Sequence, residues 1–331
     1  MTTTTNPALT PSPERVPLGR PLNGGVLRGG LGWALLSSAA FGASGPMAKA
    51  LLETGWSPAA VVLVRVGGAM LVLLIPCLLQ LGRTGWPDRS GSFRLLAYGV
   101  IAVALAQLCY FSAVQYLSVG VALLLEYLAP VLLIGWHWWR SRRRPAGTVF
   151  AGAAIAMAGM VLVLDLTSGL VLNPVGVLWG LGAALCLCGY FILAEDAGAT
   201  KPIPPLLMTT AGTGVGAVVI ALAGVAGFVP LHFRADSTFI AGLAVSWWVP
   251  VASLVLVSAV AAYLTGIVAV RRLGSSVASF VSLSEVIFAV VFAVVLLGQQ
   301  PSLSQLAGGV LVLAGIATVQ RPPRVISSVP A

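Results

Sequence analysis

Ionisable residues are almost absent from long stretches of this chain, and that single feature limits what it can fold into. Ten apolar runs, about 31–50, 58–79, 94–114, 118–139, 147–165, 176–194, 206–228, 246–268, 274–297 and 303–320, are each long enough, or nearly so, to cross roughly 30 Å of hydrocarbon at 1.5 Å per residue. Of the 331 residues, 58% are hydrophobic and only 8% are charged. Soluble domains carry about 25% charged residues. A water-soluble enzyme of this size could not cover its core with so little polar surface. The remaining class is an all-α polytopic membrane protein, because helices satisfy their own backbone groups in lipid.

The net charge of +9 lies in the connectors, so it reports topology and not a nucleic-acid surface. With the N-terminus in the cytoplasm, Arg15, Arg20, Arg28, Arg83, Arg89, Arg94, Arg140, Arg142, Arg143, Arg144, Lys201, Arg271, Arg272, Arg321 and Arg324 all fall inside. Only Lys49 and Arg234 fall outside, and Arg65 lies within a span. A missing or extra helix would scramble this pattern from that point on. The count therefore predicts ten transmembrane helices with both termini cytoplasmic. The predominance of Arg over Lys points to a GC-rich bacterial coding background, hence a bacterial cytoplasmic membrane. Residues 1–28 and 321–331 read as polar cytoplasmic tails.

A 156-residue offset aligns the two halves. Ala113-Val114 falls on Ala269-Val270, Leu117 on Leu273, Val121-Ala122 on Val277-Ala278, Pro145 on Pro301, Ala151-Gly152 on Ala307-Gly308 and Ala158-Gly159 on Ala314-Gly315. The chain thus divides into five-helix repeats at 29–165 and 176–320. A repeat of five spans must re-enter the membrane upside down, so the two repeats are inverted. Inverted repeats are the construction of secondary transporters that work by alternating access, with the substrate site near the midplane.

Three ionisable residues lie well inside spans: Arg65, Glu126 and Glu285. Burying such groups in hydrocarbon costs about 2.5–3.5 kcal/mol each on insertion scales, so they face the protein interior. Pro130 lies one turn after Glu126 and frees the Glu126 carbonyl, which predicts a helix break beside a carboxylate. A carboxyl kept from water there can load and lose a proton, or bind a substrate ammonium. The alternative is a static Glu126–Arg65 ion pair. Ser282 and Glu285 are three residues apart on one helical face, and Glu285 aligns with Ala129 under the offset. Arg65 has the fork geometry for a substrate carboxylate. Gln107, Tyr110, Tyr127 and Tyr263 are candidate cavity residues, though a packing or hydrogen-bonded core role is the simpler reading of each. Lys49 reads as an interfacial residue that snorkels.

Trp136, Trp138 and Trp139 before Arg140–Arg144 form an aromatic belt and basic anchor for anionic lipid head groups. Cys77, Cys109, Cys186 and Cys188 read as small apolar packing residues, and the two histidines, His137 and His232, have no metal-site spacing. Glycine stripes such as Gly176 with Gly180, and Gly212 with Gly216, permit close helix approach. Packing inside the bundle is their simpler use, and a monomer or weak homodimer fits either way. No phosphate loop, HExxH or GxSxG is present, so no cofactor and no enzymatic role is expected.

These residues also resemble a known family. Phe41-Gly42 followed by Lys49, Arg65, and Tyr110, Leu117 and Ala122 leading to Pro130 resemble the EamA-type drug/metabolite transporters over about residues 28–320. The stretch Tyr98-Gly99-Val100 through Glu126 and Pro130, with Arg272-Leu273 and Ser284-Glu285, is similar to the threonine/homoserine exporter branch. That family usually has proline after the second glutamate; here it is Val286, which predicts a less kinked ninth span. The resemblance implies export of a small amphipathic metabolite such as an amino acid, often driven by protons. Uptake or exchange of an anionic solute, centred on Arg65, and a non-transporting membrane protein are the alternatives.

Overall fold

The computed structural model describes residues 24–114, 116–117, 119–142, 144–163, 173–195, 202–298 and 302–319. The tail segments up to residue 23 and from 320 on, and with them Arg15, Arg20, Arg321 and Arg324, lie outside the described residues. So do Arg143, Lys201 and Pro301.

Helices fall on the apolar runs. In chain order they are α1 (Gly24–Gly42), α2 (Ser44–Leu52), α3 (Pro58–Thr84), α4 (Arg89–Ala97), a π-helical stretch (Tyr98–Leu105), α5 (Ala106–Val114), α6 (Val119–Glu126), α7 (Ala129–Ser141) and α8 (Gly147–Val163). There follow α9 (Pro174–Ala194), α10 (Pro205–Val225), strands β1 (Thr238–Ile240) and β2 (Leu243–Val245), and α11 (Trp248–Val255). A second π-helical stretch (Leu256–Ala261) leads to α12 (Ala262–Leu273), α13 (Ser275–Ser282), α14 (Ser284–Leu297) and α15 (Leu303–Val319). Among the described residues seven continuous helical segments are long and apolar enough to cross a membrane, and α8 and α15 are shorter apolar helices. The fold is that of an all-α membrane protein.

Local chemistry sets the helix ends. Proline occupies the first helical position of α3, α9 and α10, where its missing N–H is no loss. Asp88 caps α4 by accepting from the Gly91 amide at 2.9 Å, and Asn173 caps α9 from the Val175 amide at 2.9 Å. Arg94 donates from Nε and Nη2 to the Leu193 carbonyl at 2.9 and 2.6 Å, placing a cation on the C-terminal end of α9.

Helix association in lipid relies on close packing, since tails and side chains are equally apolar. The tightest contact is α8 against α15. A Cβ built on Gly159 would lie 2.6 Å from the Val312 nitrogen and 2.7 Å from the Gly308 oxygen. One built on Gly315 would lie 2.6 Å from the Ala156 nitrogen and 2.7 Å from the Gly152 oxygen. Gly152 thus meets Gly315 and Gly159 meets Gly308, an antiparallel and reciprocal register. The other stripes also pack within the chain: Gly180 on Leu125, Gly212 on Tyr98 and Gly216 on Val103. Leu71, Ile75, Leu78 and Leu79 of α3 point outward, as a lipid-facing stripe does.

The connector between α10 and α11 has structure of its own, which the run of apolar and polar residues does not announce. β1 and β2 form a short antiparallel hairpin, and the segment is stapled to the α2–α3 turn. Ser57 Oγ donates to the Pro230 carbonyl at 2.7 Å and accepts from the His232 amide at 3.0 Å and the Ala60 amide at 3.3 Å. Trp56 Nε1 donates to the Arg234 carbonyl, and Thr238 Oγ1 to the Ala50 carbonyl at 2.7 Å. Trp56 is buried with Met47, Leu51, Val61 and Leu254 beneath this segment. Ser57→Ala removes a helix cap and two loop bonds together. It is expected to cost about 1–3 kcal/mol, read as a lower apparent melting temperature in detergent.

Candidate functional site

Three helix interruptions converge at mid-span, and most of the ionisable interior residues sit at them. The first is in the fourth apolar run. Pro130 has no amide to donate, and α6 ends at Glu126 while α7 begins at Ala129. Across the gap the chain tightens to three-residue bonds, Leu128 N to Leu125 O at 3.1 Å and Val131 N to Leu128 O at 2.9 Å.

The second interruption corrects the expectation drawn from Val286. The ninth run breaks at Leu283 without any proline, with Leu283 N bonding to Phe280 O at 3.2 Å and Val286 N to Leu283 O at 3.3 Å. Serines supply the cause. Ser279, Ser282 and Ser284 each donate their hydroxyl to the carbonyl three residues back, at 2.8, 2.7 and 2.7 Å. Such bonds compete with the helical ladder and bend it. The break separates Ser282 from Glu285, so the two no longer share one continuous helix face, and the Ser282 hydroxyl is used on Ser279. Under the 156-residue offset Leu283 corresponds to Tyr127. The same offset carries Val100–Leu105, in the first π-helical stretch, onto Leu256–Ala261, the second.

The third interruption, at Ala43 between α1 and α2, has the same origin as the first. Pro46 leaves the Gly42 carbonyl without its helical donor. This break escaped the sequence reading, although a proline inside an apolar run was the available signal. Gly42 is required there: an added Cβ would sit 2.9 Å from the Glu285 carbonyl oxygen and 2.9 Å from the Ala289 nitrogen. The first break of α1 is therefore pressed against the first turn of α14.

Around these interruptions lie Arg65, Glu126, Tyr127 and Glu285. The Tyr127 hydroxyl is within hydrogen-bonding reach of the Glu285 carboxyl, and Glu126, Glu285 and Arg65 lie within electrostatic range of one another. Tyr110 of α5 is within the same range of both carboxyls. Arg65 of α3 is buried, 8% exposed, and donates from Nη1 to Ser44 Oγ at 3.0 Å. No ion pair joins Arg65 to Glu126 or Glu285 among the described residues; the pair that does form is Lys49 with Glu53 at 3.8 Å, both well exposed. The static Arg65–Glu126 pair considered from the sequence is thus not made. In consequence, Glu126→Gln is expected not to rescue any loss of folded yield caused by Arg65→Gln. Yields of the two single variants and the double variant check this.

Two further candidates have other neighbours. Gln107 lines a small cleft of about 30 Å³ with Ala59, Val62, Leu108, Ser112, Ile220 and Val229, apart from the carboxyls. Tyr263 is buried in an aromatic cluster, edge-on to Phe41 at 5.2 Å and to Tyr190 at 6.3 Å. The cysteines are reduced; Cys109 and Cys186 approach each other between α5 and α9. His137 Nε2 and Ser275 Oγ are 2.9 Å apart, which ties α7 to α13. Among the described residues no cluster of His, Cys, Asp and Glu could hold a metal ion.

A family model described as the EamA-like transporter family matches residues 28–165 and again 174–320. The chain is 23% identical over 263 residues to the uncharacterized transporter YwfM of Bacillus subtilis, covering 78% of this chain and 82% of that protein. It is 21% identical over 305 residues to the uncharacterized inner membrane transporter YicL of Salmonella typhimurium, covering 91% and 98%. A solved structure described only as "Crystal structure of protein" superposes with a TM-score of 0.67 at 19% identity, over 89% of this chain and 97% of that one, which speaks to the fold alone. With a family match on each half of a polytopic helical chain, the protein is a membrane transporter and belongs to the EamA-like transporter family.

Proposed function

We propose that the chain is a ten-span secondary transporter, built as two inverted five-helix repeats, that exports a small metabolite from the cytoplasm in exchange for protons. Residues 29–165 and 176–320 are the repeats, and one rocks against the other about the mid-span site. The observation that carries this reading is the meeting of Glu126 and Glu285 around Tyr127, each at a helix interruption related to the other by the 156-residue offset. Two half-buried carboxyls in an apolar bundle can exchange a proton for a bound cation, so one site couples the two fluxes. Tyr110 and Tyr127 would line it. Gln107, Tyr263 and Ser282 act through packing.

The positive-inside count supports cytoplasmic termini in a bacterial cytoplasmic membrane. The glycine stripes are used within the bundle, which favours a monomer. Ligand-dependent thermal stabilisation of the purified protein tests the substrate class. The panel holds amino acids, amines, nucleosides and sugar acids at two pH values. A ligand that binds only the folded state at 100 times its Kd adds about 2.7 kcal/mol of stability. A hit whose transport dissipates a pH gradient in proteoliposomes supports proton-coupled export. Transport of the hit without proton movement removes the coupling.

A further inference from the structure

We propose that Cys109 and Cys186 are an oxidisable thiol pair, and that a hydroperoxide converts them to a disulfide that ties the first repeat to the second and halts the transport cycle. The arrest rests on the transport reading above; the disulfide itself does not.

The packing of α9 on the first repeat brings the two sulfurs together. A Cβ built on Gly176 would lie 2.6 Å from Leu117 Cγ, one on Gly182 3.3 Å from Cys109 Sγ, and one on Gly189 2.8 Å from Ile101 Cγ2. Partner numbers fall as those of α9 rise, so the two segments run antiparallel. Glycine at position 182 leaves room for the Cys109 sulfur and lets the helices approach. Cys186 lies one turn beyond Gly182 on the same face of α9. In each helix the Cα–Cβ bond tilts toward the N-terminus. In an antiparallel pair those tilts turn Cys109 toward the level of Cys186, and Cys186 back toward the level of Cys109. The thiols meet within hydrogen-bonding reach of each other, and both are reduced. Cys188 is two residues further on, off that face and in the main core, and Cys77 belongs to α3.

The pair lies beside the carboxyls. Leu125, next to Glu126, packs on Gly180, and Glu126 is within electrostatic range of both thiols. α5 belongs to residues 29–165 and α9 to residues 176–320, so a bond here joins the repeats next to the site. Rocking requires these helices to shift past one another, whereas a disulfide holds its two Cα atoms within about 4.4–6.8 Å.

The peroxide balances the oxidation. Cys109, the more accessible sulfur, attacks as its thiolate; the O–O bond breaks, and a sulfenic acid and water form. Cys186 then attacks the Cys109 sulfur, the S–O bond breaks, and a second water leaves with the thiol proton. Two thiols lose two electrons and two protons, and hydrogen peroxide becomes two waters. The disulfide is uncharged, which suits its apolar surroundings.

The test treats the full chain in proteoliposomes with hydrogen peroxide, blocks free thiols with iodoacetamide and maps the peptides by mass spectrometry. Alkylatable thiols are expected to fall from four to two, with a linked peptide joining Cys109 to Cys186. Dithiothreitol should restore all four. Uptake of a ligand found by thermal stabilisation reads the arrest: flux is expected to fall at least tenfold on oxidation and to recover on reduction. Cys109→Ser and Cys186→Ser should keep the flux of the reduced wild type and lose the peroxide response. Cys109→Ala and Cys186→Ala repeat the measurement where serine disturbs packing. Four alkylatable thiols after peroxide, or a link through Cys77 or Cys188, overturns the pair. A Cys109–Cys186 link that leaves flux unchanged overturns the arrest. A folded, reduced chain that carries no ligand removes the transport reading and the arrest with it, while the linked peptide still decides the disulfide.

Discussion

Glu126→Gln is expected to abolish proton-gradient-driven flux to the level of protein-free vesicles while leaving the folded yield unchanged. Glutamine keeps the shape and hydrogen-bonding capacity of the side chain and removes only the ability to carry a charge or a proton. Glu126 closes α6 at the interruption before Pro130 and makes no ion pair among the described residues, so no buried cation is orphaned by the change. Insertion of the helix should improve, since an ionisable residue at mid-depth costs about 2.5–3.5 kcal/mol. Proteoliposomes with an imposed pH gradient and a ligand identified by thermal stabilisation provide the measurement. Exchange of labelled ligand at equal pH on both sides separates the roles. If Glu126 only carries the proton, exchange persists in the variant; if it also holds the substrate ammonium, exchange fails with net flux. Wild-type net flux in Glu126→Gln would end the proposal that this carboxyl couples transport to protons.

The second large effect concerns stability. Gly159→Leu places a Cβ within 2.7 Å of backbone atoms of α15, Val312 nitrogen and Gly308 oxygen, neither of which can rotate away. The two helices must part along their length, losing the antiparallel contacts of Gly152 with Gly315 as well. A destabilisation on the order of 3 kcal/mol or more follows. It should appear as little or no monodisperse protein after detergent extraction. Ala158→Leu, one residue away on the exposed side of α8, is the control and is expected to behave as wild type. Equal yields from the two variants would show that the α8–α15 contact contributes little.

Much of this architecture was legible in the amino-acid sequence, for a physical reason. Lipid forbids unpaired backbone and charge in its interior, so apolar run length and the placement of arginines report helices and connectors directly. Among the described residues the apolar runs are mostly helical, the Pro130 break falls beside Glu126 as its spacing requires, and the resemblance to the EamA family is borne out over both halves. Glycine stripes could likewise be read as close contacts, though not which helix each one touches.

Other features depend on relations between distant segments, which no local pattern encodes. Val286 in place of proline suggested a straighter ninth span, yet three serines turning their hydroxyls onto carbonyls interrupt it at Leu283. A static Arg65–Glu126 pair was the alternative reading, because the two are opposite charges in apolar surroundings. Packing instead places the guanidinium on Ser44, at a helix start made by Pro46. Gln107 lines a small cleft with Ile220 and Val229, and Tyr263 packs edge-on to Phe41, neighbours that no local pattern names. The bonds of Ser57 to a connector more than 170 residues away exist because the hairpin segment folds back over α2. The apolar runs and the list of interior charges follow from the solvent each segment must meet, and the sequence alone determines them. Which of those charges face one another is set by where glycines such as Gly42 let helices touch, and only the tertiary structure decides that.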